Sequence, residues 1–389
     1  MGKVLILTTI SGFLCKFERE NVRLLQELGY DVHYASNMKE QHYWFNPGQL
    51  KELNVKVHHI EIARSPWMFQ MNMKGYRQLR RIVRKENISL VHCHTPVGGV
   101  LGRMLRIEFK DRIKIIYTTH GFHFYKGAPL QRQIFYRLAE KLLARFTDVL
   151  ITINREDYLA ARKFRLRRAG RVLQIPGVGL DLERFKPCTL EEKTRNRRVQ
   201  GIDEKVFHLG TVAEINANKN HTVVLQALQR MKQKDSQLKE KIRYSIWGDG
   251  FLRGTIAQEI KDRRLEDVVT LEGYSQDVVQ SLGTIDAFVF PSKREGLGMA
   301  ALEALAMGIP VIASDNRGTR EYMKHRVNGF VCKENIPQRY VEGIRFLRSL
   351  NLETKLEMEK QCQESTLSFC KHKTSQIMDE VYKQISEGN

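Results

Sequence analysis

Short apolar runs alternate along this chain with longer stretches whose apolar positions recur every three or four residues. The first kind reads as buried strands and the second as amphipathic helices. Strands are expected at 3–8, 31–35, 55–60, 89–93, 113–118 and 148–153, then at 206–212, 241–247, 268–272, 285–290 and 310–314. Helices are expected between them, for example over 17–28, 72–86, 132–145, 220–233 and 296–307. Strands separated by helix-length segments imply right-handed crossovers and parallel sheets. The two sets of strands therefore imply an α/β chain of two doubly wound domains.

The sets part near residues 175–187, IPGVGLDLERFKP, where glycine and proline cluster ahead of a charged, apolar-poor stretch. The tail, 352–386, is polar with scattered apolar positions at helical spacing. There is no internal repeat and no low-complexity tract. The loop after the first strand runs Thr9–Phe13 and lacks a GxGxxG pattern, which argues against a dinucleotide-dependent oxidoreductase.

One segment concentrates chemistry: FVFPSKREGLGMAALEALAMGIPVIASDNRG, residues 288–318. Its apolar start ends at Pro291 and Ser292, a strand running out into a loop. Met299–Met307 is rich in helix formers, and Gly308 and Pro310 stop the helix before the next strand. Glu295 therefore sits on a glycine-flanked loop at a strand's carboxyl end, and Glu303 about one turn into the next helix. In open α/β sheets that crevice binds ligands. The backbone N–H groups near Gly298, Met299 and Ala300 suit an anion such as a diphosphate. The carboxylates suit neutral hydroxyls, and a sugar nucleotide offers both kinds of group. From spacing alone the two glutamates could equally be solvated surface carboxylates of an ordinary strand–helix unit.

Composition narrows the class. The chain has 389 residues, 42% hydrophobic and 28% charged, which suits a globular protein of two domains. No run reaches the ~20 apolar residues that span a bilayer, and the start lacks the pattern of a secretory leader. Six cysteines form no CxxC pair and no metal-ligand spacing, so reduced cytoplasmic thiols are expected. Residues 1–186 hold 33 Lys and Arg against 16 Asp and Glu, a net of +17 out of the chain's +20. The dense basic runs are 74–85, 132–146 and 162–171. The first carries Arg77, Arg80, Arg81 and Arg84. The second puts Ile134, Phe135, Leu138 and Leu142 on one side of a helix. Such a surface could be merely solvated, could bind nucleic acid, or could rest on anionic lipid. No finger, homeodomain or RNA-recognition pattern supports nucleic acid, and none is expected as a partner.

The segment 288–318 closely resembles the donor-binding signature of family 4 retaining glycosyltransferases of the GT-B fold, most similar to those of bacterial capsule and exopolysaccharide synthesis. The resemblance extends from the first strand to beyond residue 330. It includes the interdomain phrase at 175–185 and AEINANKNH at 213–221. It implies two Rossmann-like domains facing each other across a cleft: an acceptor-binding domain over 1–182 and a nucleotide-sugar domain over 190–369. A C-terminal helix at about 370–389 could pack back on the first. The implied reaction is retaining and metal-independent. It moves a sugar from a nucleotide diphosphate donor, expected to be a UDP-sugar, to a lipid-linked glycan, with no cofactor.

By the same resemblance Glu295 orients the donor sugar, Glu303 holds ribose hydroxyls, and Lys219 neutralises charge on the departing diphosphate. His120, in YTTHGFHF, lies close to the donor sugar, and Gly12 lets backbone approach the diphosphate. Tyr274 and Ser275, in LEGYSQDV, line the nucleobase. His123 and the pair His92 and His94 have no carboxylate at suitable spacing, so no metal site is expected there. Many family members carry an arginine where Glu214 stands, and Arg294 or Lys293 could replace it. The expected location is cytoplasmic, peripheral on the inner face of a membrane. A nonhydrolysing sugar-nucleotide epimerase shares the architecture and is the alternative reading.

Overall fold

A computed structural model describes residues 2–40, 47–125 and 127–387. The chain divides into two compact units, Met1–Gly179 with Lys371–Asn389, and Leu180–Cys370. Each is a Rossmann-like parallel sheet with helical crossovers.

The first sheet holds β1 (Lys3–Leu7), β2 (Asp31–Ser36), β3 (Lys56–His59), β4 (Leu90–Cys93), β5 (Lys114–Thr119), β6 (Val149–Thr152) and β7 (Arg171–Gln174). Their order is β3-β2-β1-β4-β5-β6-β7. All pairings are parallel, with Val4 opposite Val32 on one side and Leu90 on the other. Central strands such as KVLIL and LVHC are buried on both faces, which is why they read as continuous apolar runs. The helix Pro96–Phe109 approaches this sheet closely because Gly99 and Gly102 face it. A Cβ on Gly99 would lie 2.3 Å from the Tyr117 ring. Arg103, fully buried on that helix, stacks over Tyr117 at 4.1 Å and bonds Glu140 at 2.7 Å.

The second sheet holds β8 (Phe207–Val212), β9 (Ile242–Trp247), β10 (Val269–Gly273), β11 (Ala287–Phe290), β12 (Val311–Ser314) and β13 (Gly329–Cys332). Its order is β10-β9-β8-β11-β12-β13. In both sheets the order reverses once, between β1 and β4 and between β8 and β11. Two strands, β7 and β13, lie outside the sequence expectation. Both are edge strands. Every residue of β7 is only half-buried, so it shows no apolar run.

The helix Lys371–Glu387 belongs to the first unit. Its Tyr382 is buried and bonds His92 Nδ1 at 2.9 Å, and Tyr30 meets Ser386 at 2.7 Å. Within the second unit the first and last residues run side by side, with Leu180 N–H donating to the Phe369 carbonyl at 2.7 Å. Among the described residues no helix is long and apolar enough to cross a membrane.

Candidate active site

In the second unit the loops that follow β8 and β11 flank the point where strand order reverses. Lys219 lies on the first loop and Glu295 on the second. Lys219 Nζ donates to Glu295 Oε1 at 2.6 Å, and its ammonium lies 5.3 Å from the centre of the Phe290 ring. The two loops are stitched together by backbone and amide bonds. Lys293 N–H donates to the Asn218 carbonyl at 2.8 Å, and Asn218 Nδ2 donates to the Arg294 carbonyl at 2.9 Å. Both charged side chains are thus held on a fixed frame, with 21% and 14% of their surface exposed.

Gly298 caps the helix Met299–Ala306 in a left-handed conformation, φ +94°. A Cβ there would lie 2.7 Å from the Phe290 ring, so only glycine fits. Tyr322 Oη donates to the Gly298 carbonyl at 3.4 Å. Burial, aided by the Glu295 carboxylate, raises the Tyr322 phenol well above its ordinary range and keeps it a donor. Met299 and Ala300 form the first turn, whose N–H groups have no acceptor within the helix. Glu303 is half-buried one turn further on.

Tyr274 and Ser275 follow β10, two strands from β8. Tyr274 is exposed, and Ser275 Oγ meets Ser281 Oγ at 2.8 Å. Glu214 is exposed, Arg294 half-buried and Lys293 exposed. Arg317, at the end of the same signature and without a local signal in the sequence, is buried and donates through Nε to the Glu295 carbonyl at 3.3 Å.

In the first unit the loops after β1, β4 and β5 meet at the other reversal. Gly12 is buried in the turn after β1, and its carbonyl accepts from Lys16 N–H at 3.2 Å. The chain continues through a wide helical turn, Leu14–Glu18, which carries Glu18 inward. Glu18 Oε1 lies 3.3 Å from His94 Nδ1 and 3.9 Å from His120 Nε2, and the two imidazoles are 3.3 Å apart. Asn21 Nδ2 donates to Glu18 Oε2 at 2.5 Å.

Burial pushes the Glu18 carboxyl up to about 8, partly opposed by the Asn21 bond. Burial also pushes His120 down to about 4 and His92 down to about 3, with the His120 ring lowering His92 further. His94 is lowered in the same way. The imidazoles are therefore neutral near pH 7. His92 is engaged structurally, with Tyr382 and Thr118 on its two nitrogens.

The expectation that no carboxylate accompanies these histidines is corrected. Glu18, remote in sequence, completes a Glu–His–His group whose ligating atoms fall within 4.8 Å of one another. That donor set is one a divalent metal accepts. His120 and Glu18 line a cavity of about 340 Å³ within this unit, together with Thr118, Gly177, Thr374 and Met378. The His123 ring lies 5.1 Å from that of Tyr136.

Two family models match the chain, "Glycosyl transferase 4-like" over residues 3–154 and "Glycosyl transferases group 1" over residues 192–366. EpsD of Bacillus subtilis (strain 168), assigned by its name to the glycosyltransferases, is 35% identical over 383 residues, 98% of this chain and 96% of its own. The chain belongs to the group 1 glycosyltransferases. This glycosyltransferase is also 26% identical over 274 residues, 70% of each chain, to an Escherichia coli relative. That relative is named UDP-Gal:alpha-D-GlcNAc-diphosphoundecaprenol alpha-1,3-galactosyltransferase. Its fold is that of Anabaena HepE, solved with UDP-glucose: TM-score 0.76, 18% identity, 99% of this chain and 100% of that one. The expected GT-B class is therefore met by two Rossmann-like units.

Proposed function

We propose that this glycosyltransferase moves a sugar from a UDP-sugar to a lipid-linked glycan in polysaccharide assembly, with retention of anomeric configuration, while associated with the inner face of a membrane. The observation that carries the reading is the Lys219–Glu295 pair beside the Met299 helix terminus, at the strand-order reversal where open α/β sheets bind ligands. The Escherichia coli relative's named substrates support UDP and a lipid diphosphate acceptor.

In this reading the diphosphate meets the Met299 and Ala300 N–H groups and the Lys219 ammonium, which offset the charge that grows as the nucleotide leaves. Arg294 and the buried Arg317 add positive potential where Glu214 cannot. Glu295 orients sugar hydroxyls and Glu303 accepts from the ribose. Tyr274 and Ser275 border the base. Gly12 allows close backbone approach, and His120 offers a neutral imidazole to a hydroxyl. The acceptor hydroxyl oxygen bonds to the sugar's anomeric carbon on the face from which the phosphate departs. The carbon–oxygen bond to the diphosphate breaks with its electron pair, and the acceptor proton passes to the leaving phosphate oxygen. These donor-side cations make a metal unnecessary for that step.

Thermal-shift screening against UDP, GDP, ADP and their sugars tests the donor, because a ligand that binds the native state raises the melting temperature by mass action. UDP compounds are expected to give the largest shift. An equal response to all bases, or none, overturns the donor assignment. Proton NMR of the product's anomeric coupling tests retention.

A further inference from the structure

The helix Leu130–Leu143 is built inside out. None of its side chains is buried. Leu130, Ile134, Leu138 and Leu142 follow one another at four-residue steps, with Phe135 beside them, and all are exposed. At about 100° per residue these positions cover an arc of roughly 140°. The helix is held from its other side: Glu140 bonds Arg103 at 2.7 Å, and Gln133 bonds the Ala128 carbonyl at 2.7 Å. The arrangement reverses the usual one, in which the apolar stripe of a surface helix faces the core.

A second segment extends the same apolar surface. Trp67 is 76% exposed and stacks on Phe135 with ring centres 5.8 Å apart, and Met68 and Phe69 beside it are also exposed. Contiguous apolar patches of this kind mark interaction sites in globular proteins. Its rim is cationic. Arg132 and Arg137 flank the stripe and Lys141 lies within it; all three are exposed, Arg137 sits over the Phe124 ring at 6.0 Å, and among the described residues no carboxylate pairs with them. The basic helix Phe69–Glu86 differs. Its apolar positions Leu79 and Val83 are buried, and Arg80 and Arg84 both pair with Glu108. Arg77 and Arg81 of that helix are exposed, but Tyr76, Leu79, Ile82 and Val83 are not, so this basic run lacks an outward apolar stripe.

We infer that the Leu130–Leu143 helix and the Trp67–Phe69 segment form a surface that seats in the interface of an anionic membrane. Leucine, isoleucine and phenylalanine enter the acyl boundary, Trp67 lies at headgroup level, and the arginines and lysine meet lipid phosphates. Charge complementarity selects this occupant. A second copy docked on the same face would set Arg132, Arg137 and Lys141 against their own like charges, since a two-fold contact is self-complementary. A lipid surface supplies both an apolar layer and negative charge.

The inference deepens the proposed function, because it gives that reading its membrane-facing surface. Its test uses no donor or acceptor, so its failure is distinct from failure of the transferase assignment. Flotation of the full chain with phosphatidylcholine vesicles, with or without phosphatidylglycerol, is the measurement. The wild type is expected to float with anionic vesicles and to release as salt rises. The variant I134Q/F135Q/L138Q/L142Q should bind them at least tenfold more weakly. R132Q/R137Q/K141Q should lose the preference for anionic lipid, while R77Q/R81Q behaves as wild type. An unchanged melting temperature and circular-dichroism spectrum verify that each variant is folded. Wild-type-like flotation by the first variant overturns the inference. So does a wild type that ignores vesicles and sediments as a dimer that the first variant dissociates.

Discussion

The Lys219–Glu295 pair makes a prediction that neither residue makes alone. The two side chains meet at 2.6 Å with 21% and 14% of their surface exposed, between the limits of a surface pair and a buried one. Exposed pairs are worth about 0.2–1 kcal/mol, whereas removing one partner of a fully buried pair costs about 3–5 kcal/mol. Lys219→Met and Glu295→Gln should therefore each destabilise the free protein by about 1–2 kcal/mol. The double variant should be no worse than the more damaging single, a coupling of about 1 kcal/mol or more. Binding goes differently. A diphosphate must compete with Glu295 for the ammonium, so Glu295→Gln should tighten UDP binding by up to about fivefold, the equivalent of about 1 kcal/mol. Lys219→Met should weaken it and lower turnover by about a hundredfold. Turnover should also fall in Glu295→Gln, because the sugar loses its orienting carboxylate. Denaturant melts and calorimetric titration with UDP on the four proteins supply the cycle. Additive stabilities, or a Glu295→Gln protein that binds UDP as poorly as Lys219→Met, would refute the reasoning.

Glu303→Gln should weaken UDP binding by about 1.5–3 kcal/mol through one lost charge-assisted bond, and calorimetry on a variant with unchanged affinity would remove Glu303 from the ribose. Gly298→Ala should destabilise the protein by about 1–3 kcal/mol, since φ is +94° and the new methyl meets Phe290 at 2.7 Å; an unchanged melting temperature counts against that geometry. Turnover should survive exhaustive EDTA treatment, and a loss that one divalent ion restores would place a metal in the mechanism, with Glu18, His94 and His120 the first ligands to replace. Stability should fall as pH drops from 6.5 towards 4. His120 and His221 titrate near 4 and His92 and His208 near 3 in the folded state, so the unfolded chain takes up the protons. Each such histidine contributes about 1.4 kcal/mol per pH unit in that window. Glu18, raised to about 8, acts in the opposite sense from about 4.5 to 8, one group against several. Urea midpoints that rise on acidification from pH 6.5 to 5 would contradict this balance.

The central strands were legible because burial on both faces leaves a continuous apolar run, as in Lys3–Leu7 and Ala287–Phe290. The edge strand Arg171–Gln174 was not, because one ladder neighbour and half-burial require no such run. Glu295, Glu303 and Lys219 could be picked out individually from motif and loop position. Their pairing could not, because it depends on two loops becoming neighbours only when β8 and β11 lie side by side. Glu18 carried no local signal at all. In KFERENVR it reads as one more surface charge, and only the convergence of the loops after β1, β4 and β5 buries it against His94 and His120. Arg317 is the same case at the end of the donor signature. The outward stripe on Leu130–Leu143 shows a further limit: spacing reveals that a helix has two faces, but not which one turns towards the sheet.

The C-terminal helix sets an order of events during synthesis. The second unit is complete once Cys370 has been made, and its first and last residues already touch. The first unit is not. His92 waits for the Tyr382 hydroxyl, a partner 290 residues later in the chain. At translation rates of about 5–20 residues per second, that interval lasts some tens of seconds. Throughout it the surface that Met378, Val381 and Ile385 will cover faces solvent or a chaperone. The half of the protein made first is therefore finished last, and a released chain ending at Cys370 should hold a protease-resistant second unit beside a first unit that is still cleavable.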